Sequence, residues 1–211
     1  ASNIDFMDNA TLSNGNSISA WLDLSGNNNH AFQETSGNGA TYQSSSSSML
    51  FDGVNDYFNI PKSMNSSASL KVFIVSQLNS TSGNQSFLMK GDASKGNWPY
   101  IVSNGSNGLG VWIDSRSTVG DPVITLNTGT DFSIIEFDIQ LSGSDSIISI
   151  HVDGDNKNLV SPTLSGRSIN YNDNTAQDWL LGADYDGNSD VPNDYFSGEM
   201  HEILIFDGDV S

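Results

Sequence analysis

Cysteine is absent from the 211 residues. That absence removes disulfide frameworks, thiol nucleophiles and cysteine-ligated zinc. A secreted animal domain of this size usually carries a bridge, so its absence points toward a bacterial or viral surface protein. Basic residues are scarce: 7 Lys+Arg face 25 Asp+Glu, a formal charge of −18. Such a chain repels phosphate backbones and anionic lipid surfaces, which argues against nucleic-acid and membrane partners. Its excess carboxylate favours a calcium-rich or saline setting. No apolar run approaches the roughly 18 residues of a membrane span, and the opening ASNIDFMDNA lacks a signal-peptide layout. The expectation is one domain over residues 1–211, with residues 1–17 as a lead-in. It reads as a monomeric module of a larger extracellular or cell-surface protein.

Helical periodicity is also missing, and short alternating runs stand in its place. The chain is organised around Met49–Pro61 (MLFDGVNDYFNIP), which reads as two short strands joined by an Asp-Gly turn. Ile18–Leu24 alternates, with Ile18, Ala20, Leu22 and Leu24 on one face. Ser44–Ser48, five serines, reads as an exposed connection. Leu70–Val75 is nearly all apolar, as expected of a strand buried on both faces. Phe132–Leu141 and Ile147–Val152 are the longest alternating pair, and Asp178–Ala183 and Phe196–Phe206 close the chain. Short strands at regular spacing, bounded by Asn-Gly and Asp-Gly, predict an all-β antiparallel sandwich. Leu70–Val75, Phe132–Leu141 and Phe196–Phe206 are its expected centre. The expected core includes Phe51, Phe73, Phe137, Ile139, Ile150, Leu180 and Ile203.

Four stretches carry a resemblance. They are Trp21–Ala31 (WLDLSGNNNHA), Leu50–Tyr57 (LFDGVNDY), Ser149–Gly154 (SIHVDG) and Phe196–Phe206 (FSGEMHEILIF). In order and spacing they resemble the concanavalin A-like jelly rolls, specifically bacterial laminin-G/pentraxin-like modules. The resemblance implies two packed antiparallel sheets, with ligands held at loops or on the concave face.

The densest oxygen cluster is Asp184, Asp186, Asn188, Asp190 and Asp194. Alternating carboxylates and amides around a glycine suit the six to eight hard ligands of Ca²⁺, although the spacing is not that of an EF-hand. Asp23, Asn27 and Asn29 form a second calcium candidate, whose alternative role is an Asx-turn network. Trp98, Tyr100, Trp112 and Arg116 lie in and around Gly-rich loops near Asp92, and that set reads as a sugar platform or as core packing. Glu136-Phe-Asp138-Ile-Gln140 resembles the E-x-D-x-E strand of laminarinase-type hydrolases. Gln140 occupies the acid's place, however, and an amide cannot deliver that proton. His30, His151 and His201 show no metal-ligand spacing, and neither a G-x-S-x-G elbow nor a phosphate loop occurs.

The expected function is therefore non-catalytic: calcium-assisted glycan recognition within a bacterial adhesin or polysaccharide-processing protein. The alternatives are a module that binds a peptide on another cell or surface, and a structural spacer.

Overall fold

The computed structural model describes residues 12–61, 69–79, 83–90, 99–104, 108–113, 123–125, 131–156, 163–166, 178–185 and 191–208. Among these, the first half forms β1 (Ala20–Trp21), β2 (Ala31–Phe32), β3 (Thr41–Gln43), β4 (Ser48–Asp52), β5 (Phe58–Ile60), β6 (Leu70–Leu78), β7 (Gln85–Lys90), β8 (Pro99–Asn104) and β9 (Gly108–Ile113). The second half adds β10 (Val123–Thr125), β11 (Ser133–Ser142), β12 (Asp145–Val152), β13 (Asp155–Asn156), β14 (Thr163–Leu164), β15 (Trp179–Leu181), β16 (Asp184–Tyr185), β17 (Pro192–Asn193) and β18 (Ser197–Asp207). No helix occurs among the described residues.

Two antiparallel sheets stack into a sandwich. Sheet I runs β1-β2-β5-β15-β7-β8-β9-β10, and sheet II runs β13-β12-β11-β6-β18-β4-β3 with β14 beside β12. The three expected central strands, now β11, β6 and β18, are neighbours in the middle of sheet II. Period-two alternation in β11 buries Ile135, Phe137 and Ile139 and turns Glu136 and Asp138 outward. Leu141, next in that alternation, is 40% exposed. Val152, Asp153 and Gly154 turn β12 into β13, with Asp153 and Gly154 both at positive φ, as a primed hairpin turn demands.

The strand expected to be buried on both faces is not. In β6, Leu70, Val72 and Ile74 are buried, whereas Lys71, Phe73 and Val75 are half-buried on the outer face. Phe73 therefore leaves the expected core. Its ring meets Phe206 edge-on at 6.0 Å, outside the sandwich. Ile203 is also only partly buried, packed against the core. Phe51, Phe137, Ile139, Ile150 and Leu180 are buried as expected. Ile18–Leu24 yields only the two-residue β1, with Ala20 and Trp21 both buried and Leu24 60% exposed.

Met49–Pro61 holds the main surprise of topology. It is no hairpin: β4 pairs with β18 and β3 in sheet II, while β5 pairs with β15 and β2 in sheet I. Asp52–Tyr57 carries the chain from one sheet to the other. The Asp52 carboxylate accepts the N–H groups of Val54 and Asn55, and the Asp56 carboxylate accepts the N–H of Asp52 at 2.8 Å. Gly53 sits at φ +75°, where a Cβ would lie 2.7 Å from the Ser197 Cβ, so the corner requires glycine. Phe51 and Phe58 thus face each other across the interior.

Other local expectations shift for similar reasons. Residues 12–17 are tied to the sheet, since Gly15 donates to the Tyr42 carbonyl and Ser17 bridges Thr41. The serine run is only partly exposed: the Ser46 and Ser48 hydroxyls both donate to the Glu199 carboxylate, and Ser48 is fully buried.

The two sheets differ in their outer faces. On sheet I, Met89, Tyr100 and Val102 form a second buried apolar cluster beside the main core. Sheet II leaves Ile134, Ile147, Leu204 and Phe206 exposed on strands β11, β12 and β18.

Candidate functional site

The site is built where β15 ends. Gly182 donates to the Phe87 carbonyl at 3.0 Å and accepts from Phe196 at 2.9 Å, so the chain leaves β15 pinned between β7 and the start of β18. β16 and β17 then pair as a small hairpin, with Asp184 opposite Asn193 and Tyr185 opposite Pro192. Asp194 follows at φ +44°, a strained setting for a non-glycine residue, and its carbonyl accepts the Ser86 N–H at 2.8 Å. The Gln85 side chain, buried in β7, accepts the Ser197 N–H at 2.9 Å. Hydrogen bonds to Gln85, Ser86 and Phe87, all on β7, therefore fix both ends of the acidic loop.

Tyr100 on β8 completes the constellation. Its hydroxyl lies 3.4 Å from Asp194 Oδ2 and also interacts with Asp184, which is 7% exposed. Burial pushes the Tyr100 phenol well above its ordinary range, and the charges of Asp184 and Asp194 push it further, as do its hydrogen bonds to them. Tyr100 thus stays protonated and serves the two carboxylates as a donor.

Beside this group opens a cleft of about 360 Å³, lined by Asp52, Gly53, Asn84, Gln85, Asp194, Tyr195 and Ser197. Tyr195 donates to the Pro192 carbonyl at 2.7 Å, and its ring stands 6.4 Å from Tyr57. The cleft therefore offers carboxylate and amide oxygens beside a tyrosine wall. Asn193 adds an amide oxygen that is buried and finds no donor among the described residues. Three oxygen-bearing side chains, those of Asp184, Asn193 and Asp194, thus arise at one end of the sandwich, a donor chemistry that matches hard cations. Among the described residues no group of three His, Cys, Asp or Glu side chains assembles.

Of the expected calcium residues, the structure brings Asp184 and Asp194 together with Tyr100; Asp186, Asn188 and Asp190 lie outside the described residues. Of the expected sugar platform, Asp92, Trp98 and Arg116 also lie outside them, and Trp112 lies in β9 opposite Tyr100. Sequence reasoning missed Asn193, Asp52, Asn84, Gln85 and Tyr195. The Val-Pro-Asn-Asp run was the one visible signal for Asn193; the others are brought in by pairings between strands remote in sequence.

At the second calcium candidate, Asp23 anchors a local turn network that includes the backbone N–H of Asn29. The Asp23 carboxylate accepts the Ser25 N–H and hydroxyl and the Asn29 N–H, while His30 Nδ1 accepts the Asp23 N–H. Burial alone would raise the Asp23 pKa, but these bonds and the nearby His30 hold it below its usual value. Asn27 is exposed, and its N–H bonds the Ser25 hydroxyl.

Glu136 and Asp138 lie elsewhere, on the outer face of sheet II. Lys71 Nζ bridges them at 3.2 and 3.4 Å, and Gln140 donates to Asp138 at 3.0 Å.

No protein-family model matches the sequence, and no curated protein does. Solved structures do match in fold. The CBM40 of the Ruminococcus gnavus IT-sialidase, bound to alpha2,3 sialyllactose, aligns with TM-score 0.54 at 10% identity over 68% of this chain and 77% of its own. A SAP-like pentraxin from Limulus polyphemus aligns with TM-score 0.56 at 12% identity over 77% and 76%. Domain 4 of AbnA, a GH43 extracellular arabinanase from Geobacillus stearothermophilus in complex with arabinotriose, gives 0.52 at 15% identity over 81% and 75%. At these identities the likeness is one of architecture, and the fold of this chain is that of the concanavalin A-like jelly rolls.

Proposed function

We propose that the chain is a non-catalytic, extracellular glycan-recognition module, and that calcium held by Asp184, Asp194 and the residues between them assists binding at the Tyr100 end of the sandwich. The observation that carries the reading is the convergence of Tyr100 with the two carboxylates. Two carboxylates gathered at a buried hydroxyl, in a chain of net charge −18, repel one another unless a cation joins them. The adjoining cleft supplies what a sugar needs, amide and carboxylate oxygens for hydroxyls and a tyrosine flank for C–H faces. The CBM40 bound to alpha2,3 sialyllactose and the AbnA domain in complex with arabinotriose support the glycan class.

A bound calcium ion would supply fixed positive charge, and a ligand hydroxyl or carboxylate would complete its shell. Tyr100 holds its proton and orients Asp194, while β7 holds the loop through Ser86 and Gln85. The test is the thermal midpoint in calcium and in EDTA, for wild type and Asp194→Ala. Calcium at a hundredfold excess over its dissociation constant adds about 2.7 kcal/mol, so the wild-type midpoint rises and that of the variant does not. An unchanged wild-type midpoint, with no calcium in the purified protein, would favour a spacer.

A further inference from the structure

One wall of the cleft is held in place by a buried acid. Asp52 and Gly53 form that wall from the corner between the sheets, and Ser197 and Tyr195 face them from the chain entering β18. Asp52 is the last residue of the β4–β18 ladder, opposite Ser197, and Gly53 packs so closely on Ser197 that no Cβ fits between them. The N–H that ends β4, that of Asp52, is held by the Asp56 carboxyl at 2.8 Å. Asp56 is buried, whereas Asp52 and Val54 are exposed, and residues 53–57 lie outside both β4 and β5. No cation acts on Asp56 among the described residues, and the charge that does is that of Asp52. Neighbouring segments meet the corner through Gln33, Asn38, Gly182 and Ser197, none of which titrates. Across the cleft, Tyr195 is pushed upward by burial and by the charges of Tyr57 and Asp52, and Asp194 is the remaining acid.

We propose that residues 52–57 form a proton-operated latch on the cleft, closed against Ser197 while Asp56 is protonated and released toward solvent when it ionises. The neutral carboxyl accepts the Asp52 N–H and leaves no charge in the interior. The ionised group has one donor among the described residues and a second carboxylate in the same turn, so burial and repulsion both drive it to water. β4 and β5 are held in separate sheets, which confines the movement to the corner and takes Asp52 and Gly53 out of the cleft wall. Burial raises the Asp56 pKa to about 6, against the pull of the Asp52 N–H and with the push of the Asp52 charge. A raised folded-state value makes the closed form complete below about pH 4 and weaker as pH rises through 6. The latch rests on the glycan reading of the cleft for what it admits, a sugar held at acid pH and released near neutrality; its movement does not.

Heteronuclear NMR from about pH 4 to about pH 8, at constant calcium, tests it. The Asp56 carboxyl and the backbone amides of Asp52, Gly53, Asn84 and Ser197 should titrate together with one midpoint at about 6. Asp56→Asn should abolish that shared transition, and Asp52→Asn, which removes the neighbouring charge, should move it to lower pH. If Asp56→Asn fails to fold, the wild-type titration and the Asp52→Asn shift decide. An Asp56 midpoint below about 5 would overturn the proposal. So would an Asp56 titration that leaves the Asn84 and Ser197 amides unmoved, or a shared transition that persists in Asp56→Asn. A glycan array at about pH 5 and about pH 7.5 gives the second arm. Signals of wild type should fall at least threefold at the higher pH and stay constant in Asp56→Asn; equal falls in both proteins would count against the latch. An array blank at both pH values removes the glycan reading alone, because the amide titration needs no ligand.

Discussion

Phe51 and Phe58 stand edge to face with ring centroids 5.9 Å apart, although they belong to opposite sheets. The segment between them is the corner that joins the two layers. Phe51 makes a second edge contact with Phe196 at 5.7 Å, and Phe196 packs on Phe87 at 5.0 Å. Phe196 immediately precedes β18, and Gly182, which bonds it, precedes Asp184. The same aromatic group that closes the core therefore sets the position of the acidic loop.

Phe51→Ala should cost about 3–5 kcal/mol, the usual range for a buried phenylalanine. Phe73→Ala should cost much less, about 1–2 kcal/mol, because Phe73 lies half-buried outside the sandwich. Urea denaturation midpoints of the two variants check the order. Equal losses would contradict the placement of Phe73.

These two residues also show how far the sequence could be read. The strand LKVFIV is apolar at nearly every position, and nothing within it reveals that Phe73 and Val75 meet only neighbours on an open face. β11 was legible because Glu136, Asp138 and Gln140 mark its outer side at period two. The Asp-Gly signal in Met49–Pro61 correctly announced a turn. Whether that turn closes a hairpin or joins two sheets depends on β18 and β15, far along the chain. The site divides in the same way. Asp184 and Asp194 were conspicuous by density and Tyr100 by its aromatic setting, but their convergence needs β8 beside β7 and β7 beside β15. Asn193 and Asp52 carried no comparable mark.

Gly182→Ala should destabilise more than an ordinary glycine replacement. Its φ is +86°, and a Cβ there would lie 2.6 Å from Phe51 Cε1. Backbone strain of about 1–3 kcal/mol combines with displacement of the Phe51 ring. The expected result is a lower denaturation midpoint together with weakened calcium binding, since Gly182 anchors the loop. A midpoint within error of wild type would contradict the packing around Phe51.

Stability should fall as pH rises through the range set by Asp56. Asp56 is 5% exposed, and burial raises its pKa from 3.8 to about 6; the bond from the Asp52 N–H works against that shift and the Asp52 charge adds to it. The folded state holds the Asp56 proton more tightly than the unfolded chain does. The stabilising contribution is therefore complete below about pH 4 and is lost by the time pH passes 6. Asp56→Asn keeps an oxygen acceptor for the Asp52 N–H and removes the charge. Between pH 4 and 7 the variant should gain stability relative to wild type, with the difference levelling off above pH 6. A constant difference across that range would show that Asp56 does not titrate there.

The most direct measurement is a glycan array probed in calcium and in EDTA with wild type and Asp194→Ala. The account predicts a set of glycans bound by wild type in calcium whose signals fall at least tenfold in EDTA and equally in the variant. Calcium-dependent signals that persist in Asp194→Ala, or an array on which wild type in calcium binds nothing, would contradict it.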